Sequence, residues 1–325
     1  MTTTAWRPDD LPRGIAFAVV SMFLFALMDA LSRVLTRDMG LGVAQILWVR
    51  FVIFFFFALA IIGPRAFLPS FQSAVPRIQI LRGVALVFEI GIFILAFRYL
   101  PIGDVHAVAA AAPLVVLALS TLMLRERVTF AVWSAVAVGM VGVIIVVRPG
   151  LREFSWFHAL PVLGALSWGF YQTLVRMVGR LDSANTTLAY TVVIGLALTT
   201  CFGPFFWTDP SLAAWGLLLA SGLLGAGAHF TLIKAYEACS APRLQPYGYT
   251  LVLWAILIGA LALGEFPDAW TLAGASVIVA AGLYALVREK ALAPPDTPAG
   301  YRSAAADGRS AARSQRRRGS PRARR

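Results

Sequence analysis

The chain has few charged residues and few cysteines for its length. Of its 325 residues only 14% are charged, whereas 59% are hydrophobic. A soluble globular protein carries about 25% charged residues, so this chain lacks the polar surface that contact with water requires. Both cysteines, Cys201 and Cys239, lie within or beside apolar runs, so we expect no disulfide. These shortages argue against a soluble globular protein.

The chain also lacks the motifs of catalysis and nucleotide binding. It has no paired acids, no His/Cys spacing for a metal, no Gly-rich phosphate loop and no nucleophile elbow. Asp104 and His106 stand at a helix start, where a capping role explains them. We therefore expect no enzyme activity, no cofactor and no metal; an integral membrane enzyme of lipid or small-molecule metabolism stays as the alternative. A channel or scaffold would need polar residues lining several helices continuously, and the sequence has no such lines of polar residues.

Apolar runs of membrane-spanning length are what the chain has instead. About 20 residues cross the hydrocarbon core as a helix, and runs of 18 or more with few charges indicate such a span. The first run follows acidic residues and has no cleavage site, which indicates a retained helix rather than a signal peptide. We predict an all-α integral membrane protein with ten transmembrane helices, near 14–36, 42–62, 80–99, 103–124, 129–147, 156–178, 185–204, 212–234, 241–263 and 269–287.

The distribution of Lys and Arg predicts the orientation. With ten spans both termini share a side, and cations concentrate at cytoplasmic helix ends. Placing the termini in the cytoplasm puts 22 Lys and Arg inside and five outside, with Arg50 within the membrane. We therefore predict a multi-pass protein of the inner (plasma) membrane with both termini cytoplasmic. Arg33 and Arg37 are among the five outward cations and run against the trend.

The C-terminal segment 289–325 differs from the rest. Residues 288–325 hold 11 Lys and Arg against three acids, and almost no large apolar residue. Such a composition cannot bury a core, so we predict a disordered basic cytoplasmic tail. The tail could bind anionic inner-leaflet lipids or nucleic acid. It could equally be a solvated segment that fixes the topology, and we expect no nucleic-acid partner.

The two halves of the chain repeat each other. We predict two repeats, 14–148 (helices 1–5) and 156–288 (helices 6–10). Because five is an odd number, the second repeat enters the membrane from the opposite side, as in many secondary transporters. The outward Arg33 and Arg37 then follow from repeat symmetry. The matched landmarks are Arg33 with Arg176, Arg37 with Arg180, Phe93 with Phe230, Tyr99 with Tyr236, and Glu126 with Glu265.

Helix breakers interrupt corresponding spans of the two halves. Pro113 lies in the middle of the fourth span, and Pro246 with Gly248 lies in the ninth. Proline removes one backbone hydrogen bond and can kink a membrane helix. Interrupted spans at matching positions indicate a transporter's binding site, although proline is also common in membrane helices.

Several stretches resemble a known family. The segments "SMFLFALMDALSRVL", "QILWVRF" and "AFRYLPIGDVHAVAAAAPL", with "LALGEFPDAW" in the second half, resemble the EamA-type branch of the drug/metabolite transporter superfamily. The resemblance covers nearly the whole chain except the tail. It implies two inverted EamA repeats around a central cavity lined by spans 1, 3, 4, 6, 8 and 9. "MDALSR" with "QILWVR" is similar to members proposed to take up S-adenosylmethionine or riboflavin, whereas Glu89 departs from the family pattern.

Four ionisable residues lie well inside predicted spans, where a charge costs about 2.5–3.5 kcal/mol and a functional interior site is the default interpretation. Asp29 lines the cavity or pairs locally with Arg33. Arg50 forms an ion pair with Asp29 or Glu89, or binds a substrate anion. Glu89 binds a proton and a substrate in competition, or is neutralised by Arg50. His229 is a proton relay or a hydrogen-bonded interior histidine.

Polar and aromatic residues extend this candidate site. Gln172 is the repeat partner of Asp29, and Trp168 is that of Phe25. Aromatic rings could stack on a flat substrate, although membrane helices also use them for packing. We predict a secondary transporter of a small organic metabolite, with membrane lipids around it, possible proton coupling, and a monomeric or homodimeric state. The further predicted cavity residues are Trp168, Tyr171, Gln172, Gln245 and Tyr247, with Trp254 as another stacking candidate.

Overall fold

The computed structural model describes residues 10–123, 130–148, 156–178, 181–238 and 244–292, and all regular structure in these ranges is helical. Glu126, Arg180, Cys239 and residues 293–325 lie outside the described ranges, and the side chains of Arg176 and Gln245 are not described either. The helices are α1 (Leu11–Arg33), α2 (Val43–Ile62), α3 (Pro64–Phe67), α4 (Pro76–Tyr99), α5 (Ile102–Ala109), α6 (Ala112–Met123), α7 (Phe130–Val147), α8 (Ala159–Val178), α9 (Ala184–Thr200), α10 (Leu212–Ala238), α11 (Thr250–Leu263) and α12 (Ala269–Leu292).

In the described ranges, each of the ten predicted segments contains α-helix over much of its length. Within the described ranges, seven helical stretches are long and apolar enough to cross a membrane. Two more apolar helices, Trp133–Val147 and Ala184–Thr200, are shorter. Helix α8 has the length of a span but carries several polar residues, among them Tyr171 and Gln172. The described part of the chain is therefore all-helical and has the helices of a multi-pass membrane protein.

The outer surface of the helical body is apolar. Phe56, Phe88 and Leu253 are exposed by 64%, 66% and 67% although they lie on long helices. Large apolar side chains on the outside of a helix indicate contact with lipid rather than water. The body comprises Met1–Leu286; the C-terminal unit, Val287–Arg325, is described only at the end of α12.

Two helical spans are interrupted. The fourth predicted span consists of α5 and α6, separated by a turn at Ala110 and Ala111. Pro113 is the second residue of α6, where the first turn of a helix tolerates a residue without an N–H. The second half has its irregular stretch at Gln245–Tyr249, a 3₁₀ turn that contains Pro246 and Gly248 and leads directly into α11.

The main contacts between helices are similar in the two halves of the chain. Helix α1 packs on α10 and α11, while its counterpart α8 packs on α4 and on α5 and α6. Helix α2 packs on α10, and its counterpart α9 packs on α4. Across the centre, α2 meets α9 and α5 meets α11. Under the predicted pairing of helices, each of these contacts has a partner contact or is its own partner, whereas the contacts of α1 with α4 and of α6 with α7 have no counterpart of similar extent in the described part of the chain.

The contact between α2 and α9 is a close one. A Cβ atom added to Gly195 of α9 would lie 2.0 Å from Cε1 of Phe51 on α2. Phe51 is completely buried and belongs to the cluster that α2 forms with α4, α9 and α10. Only glycine allows the two helices to approach this closely at Gly195.

Candidate functional site

Arg50 of α2 is a buried cation with few partners. Its side chain is 1% exposed, and Nη2 donates a hydrogen bond of 2.7 Å to Oγ of Ser32 on α1. The Ser32 hydroxyl in turn donates to the carbonyl oxygen of Met28. Nε of Arg50 has no hydrogen-bond partner among the residues that the structure describes. The guanidinium group therefore keeps an N–H donor that these residues do not use.

Glu89 of α4 is a buried acid beside this cation. It is 9% exposed and forms no hydrogen bond or ion pair with the residues that the structure describes. Electrostatic interactions link its charge to Asp29, Arg50 and Tyr171. Since no direct ion pair joins Glu89 to Arg50 among the described side chains, their charges face each other without contact.

Asp29 of α1 contacts His106 of α5 rather than Arg33. The Oδ2 atom of Asp29 lies 3.2 Å from Nε2 of His106, although the pair is not aligned as a hydrogen bond. The His106 ring packs against both Phe93 and Phe97, with centroid distances of 6.4 and 5.5 Å. The capping role expected for His106 is therefore wrong, because the ring points into the protein and contacts Asp29 of α1.

Aromatic rings surround the charged residues. His229 of α10 makes edge contacts with Phe25 and Phe54 at centroid distances of 4.9 and 5.5 Å, and its charge would interact with that of Arg50. Trp168 makes an edge contact with Phe93 at 6.1 Å. Gln172 is half-buried and has no hydrogen bond within the described part of the chain.

Of the residues predicted from the ninth span, Trp254 packs on the same apolar cluster as Phe93 and Trp168, whereas Tyr247 lies away from the buried charges. Tyr247 packs against the cluster of Ala18, Ala235 and Leu244. Ala18 precedes Asp29 by 11 residues, which is about 16 Å along a helix. Trp254 makes an edge contact with Phe23 at 5.1 Å, and its Nε1 is buried without a partner. The structure thus brings together Asp29, Arg50, Glu89 and His229, but not Tyr247.

A second buried arginine, Arg82 on α4, holds a polar network near one helix end. Its Nη2 donates to the carbonyl oxygen of Thr187 at 2.8 Å and to Oγ1 of Thr191 at 2.7 Å. Nη1 lies 3.4 Å from the hydroxyl oxygen of Tyr171, so Arg82 also positions a predicted site residue. From the sequence, Arg82 is predicted only as one of the 22 Lys and Arg on the cytoplasmic side. Its spacing of seven residues from Glu89, two helical turns on one face, is the signal that could have found it.

Asp182, in the loop between α8 and α9, continues this network. Burial raises the pKa of its carboxyl, but hydrogen bonds from Ser73, Gln79 and the Ala74 N–H outweigh burial, so the pKa lies below its usual value. Gln79 accepts a hydrogen bond from Nε of Arg82 and so links the two charges. A surface cavity of about 520 Å³ opens beside Asp182 and is lined by none of the predicted site residues.

Two ion pairs occupy the other end of the helices. Glu265, in the loop after α11, pairs with Arg33 and accepts a hydrogen bond of 2.9 Å from the N–H of Ile102. Arg148 pairs with Asp268 at 2.6 Å; although burial raises the pKa of Asp268, hydrogen bonds from Thr271 and Arg148 hold it below its usual value. In the described part of the chain, no three His, Cys, Asp or Glu side chains are grouped closely enough to hold a metal.

Fold and site together define a multi-pass helical membrane protein with ionisable side chains buried in its interior. Residues 12–148 and 155–287 each match the model of the EamA-like transporter family. The chain therefore belongs to the EamA-like transporter family. One solved crystal structure, 17% identical in sequence, shares the fold with a TM-score of 0.59 over 86% of this chain and 99% of its own.

Named relatives extend over almost the same length. A riboflavin transporter of Rhizobium johnstonii is 26% identical over 89% of this chain and 95% of its own. An S-adenosylmethionine uptake transporter of Rickettsia prowazekii is 24% identical over 85% and 93%. Pseudopaline exporter CntI of Pseudomonas aeruginosa is 28% identical over 87% and 98%. These three relatives are named as small-molecule transporters, one of them for uptake and one for export.

Proposed function

We propose that this protein is a secondary transporter that moves a small organic metabolite across the inner membrane by alternating access. The substrate is a cofactor-like molecule such as S-adenosylmethionine or riboflavin, or an amino acid. The names of the relatives support the cofactor-like group. The chain crosses the membrane ten times as two inverted five-helix repeats, 14–148 and 156–288, with both termini in the cytoplasm.

Three observations support the repeat architecture. The family model matches twice, once in each half. The helix contacts keep their pattern when the halves are exchanged. Both halves also interrupt a span, at Ala110–Ala111 and at Gln245–Tyr249, and interrupted helices supply free backbone groups to binding sites in transporters.

The observation that carries the transport proposal is the unpaired charge of Arg50 and Glu89. Buried charges are normally paired, because an isolated one in a medium of low dielectric constant is costly. Among the residues that the structure describes, the Nε of this arginine has no partner, and the glutamate opposite it has no hydrogen bond. A substrate with polar or charged groups supplies the missing partners, and the rings of Trp168 and His229 cover its apolar part.

Glu89 is the residue that couples transport to protons in this proposal. A buried carboxyl binds either a proton or a positively charged or polar substrate group, and the two compete. Alternate occupancy of one group by proton and substrate produces exchange. Glu89→Gln removes the proton-binding group while it keeps the size of the side chain, so it separates coupled transport from simple exchange.

The test is flux into liposomes that contain the purified protein, under an imposed proton gradient. The compounds are radiolabelled S-adenosylmethionine, riboflavin and tryptophan. Wild type is compared with Glu89→Gln and with Asp209→Asn, which removes an exposed acid that accepts a hydrogen bond from Trp207 and none from any other described residue. We expect one compound to accumulate with wild type and with Asp209→Asn, while Glu89→Gln supports only exchange of that compound across the membrane.

Two results would contradict the proposal. Equal gradient-driven accumulation in wild type and Glu89→Gln would make Glu89 a structural residue and place coupling elsewhere. If no compound is either accumulated or exchanged by protein of normal thermal stability, the proposed substrate group is wrong.

A further inference from the structure

We propose that Glu265 is a gate residue, which closes the outer end of the transport site by holding the end of α1 and the start of α5 together. This inference rests on the transport function proposed above and adds to it a residue outside the predicted site. The sequence predicts only that Glu265 matches Glu126 of the other repeat, and it predicts no role for Glu265.

The Glu265 carboxylate bridges three elements. Oε1 pairs with Nη2 of Arg33, the last residue of α1, and lies 3.6 Å from Nη1 of Arg37, in the π-helical turn that follows α1. Oε2 accepts the hydrogen bond from Ile102, the first residue of α5. Gly264 ends α11 in the left-handed conformation, at φ 67°, and the Glu265 N–H donates to the carbonyl oxygen of Gly259 at 2.8 Å. The backbone of α11 thus fixes the position from which the carboxylate reaches α1 and α5.

Burial makes this bridge sensitive to water. Arg33 is 4% exposed, and its Nε and Nη1 have no hydrogen-bond partner in the part of the chain that the structure describes. Its other acidic neighbour, Asp38, is 4.0 Å away and 58% exposed. Removing the partner of a buried charge leaves that charge uncompensated. Arg33 can therefore leave Glu265 only when water reaches it, that is, when this end of the protein opens.

The bridge lies one helical turn from the Asp29–His106 contact. Arg33 follows Asp29 by four residues on α1, and Ile102 precedes His106 by four residues on α5, about 6 Å in each case. The same two helices are thus held together twice, by Asp29 with His106 and by Glu265. A substrate that reaches Asp29 from this side must separate α1 from α5, and this movement breaks the bonds to Glu265.

The end of α1 is suited to such a movement. After Arg33 the helix continues as a π-helical turn, Val34–Asp38. Such turns are rare, and they frequently occur at functional sites. In the other repeat, Glu126 occupies the position of Glu265, so Glu126→Gln makes the same chemical change in the opposite half and serves as the matched comparison.

The test measures how fast a buried cysteine reacts from each side of the membrane. Ala30→Cys, in a background of Cys201→Ser and Cys239→Ser, places the reporter beside Asp29 at a position that is 5% exposed. A membrane-impermeant maleimide is applied to spheroplasts, which expose the outer face, and to inside-out vesicles. We expect Glu265→Gln to raise the labelling rate in spheroplasts about tenfold, as a shift of a closed population toward an open one. Glu126→Gln should not raise it there.

The outcomes separate the gate from the transport proposal, since labelling needs no substrate. An unchanged labelling rate for Glu265→Gln, in a protein with the melting temperature of wild type, would overturn the gate even if flux is normal. The contacts of Glu265 would then be structural only. Faster labelling only in inside-out vesicles would overturn its outer placement. If Glu265→Gln is poorly folded, Glu265→Asp keeps the charge but shortens the side chain; an intermediate rate supports the gate, and a wild-type rate overturns it.

Discussion

The contact between α2 and α9 gives a prediction whose sign depends on the site of substitution. Gly195→Ala places a methyl group 2.0, 2.3 and 2.7 Å from three carbons of the Phe51 ring. Carbon atoms in contact are separated by about 3.5–4.0 Å, so the ring or α9 must move by more than about 1 Å. Phe51 is completely buried and cannot swing outward. Overpacking of this kind costs about 1–3 kcal/mol.

The same substitution at Gly216 is the control. Gly216 is an exposed residue of α10, and a Cβ atom there would meet no atom within 4 Å. Alanine in a helix interior is more stable than glycine by about 0.5–1 kcal/mol, so Gly216→Ala should be neutral or stabilising. Thermal unfolding of both variants in detergent, followed by loss of monodisperse protein on heating, measures the difference. Equal melting temperatures for Gly195→Ala and wild type would refute the close packing of α2 on α9.

Three further predictions concern the charged residues. Arg50→Met should fold, because Arg50 has no direct ion pair among the described side chains. It should reduce flux about tenfold or more, because it removes a hydrogen-bond donor to the substrate. Near-normal flux in liposomes would contradict the binding role of Arg50. His106→Phe keeps the ring packing and should reduce flux to a similar degree, about tenfold, without lowering the melting temperature; wild-type flux would show that its contact with Asp29 is not used. Asp182→Asn should lower the melting temperature at neutral pH, corresponding to about 1 kcal/mol. Since the folded-state pKa of Asp182 is depressed, this difference should be present above the ordinary aspartate value of about 3.9 and be lost as the pH falls below it; a difference that persists at low pH would contradict the assignment.

The helices and their breaks were predictable because their causes are local. A run of 18 or more apolar residues needs a membrane, and it has to be helical there so that its backbone groups are bonded. The turn at Ala110 and Ala111 arises next to Pro113, whose ring and missing N–H act only on its own helix. The family could likewise be predicted, because its short motifs remain intact in the sequence.

The pairing of charges was not predictable to the same extent. Asp29 and Arg33 have the spacing of a helical ion pair, yet Asp29 contacts His106 and Arg33 pairs with Glu265. Both partners come from elsewhere in the chain, and their choice depends on how α1 packs against α5 and α11. Arg50 and Glu89 had been expected to pair or to bind ligands, and only the structure shows them near each other without contact.

The exchangeable helix contacts have a consequence for half of this protein. A polypeptide that contains only residues 12–148 would leave uncovered the faces of α2 and α5 that pack on α9 and α11. Those faces are apolar and shaped for helices of the same kind, so such a fragment would need a second polypeptide to complete its core. Cutting the chain between α7 and α8 and producing the two parts together would therefore supply each fragment with its missing partner. The covalent connection between the halves would then serve mainly to ensure that the two parts are present in equal amounts.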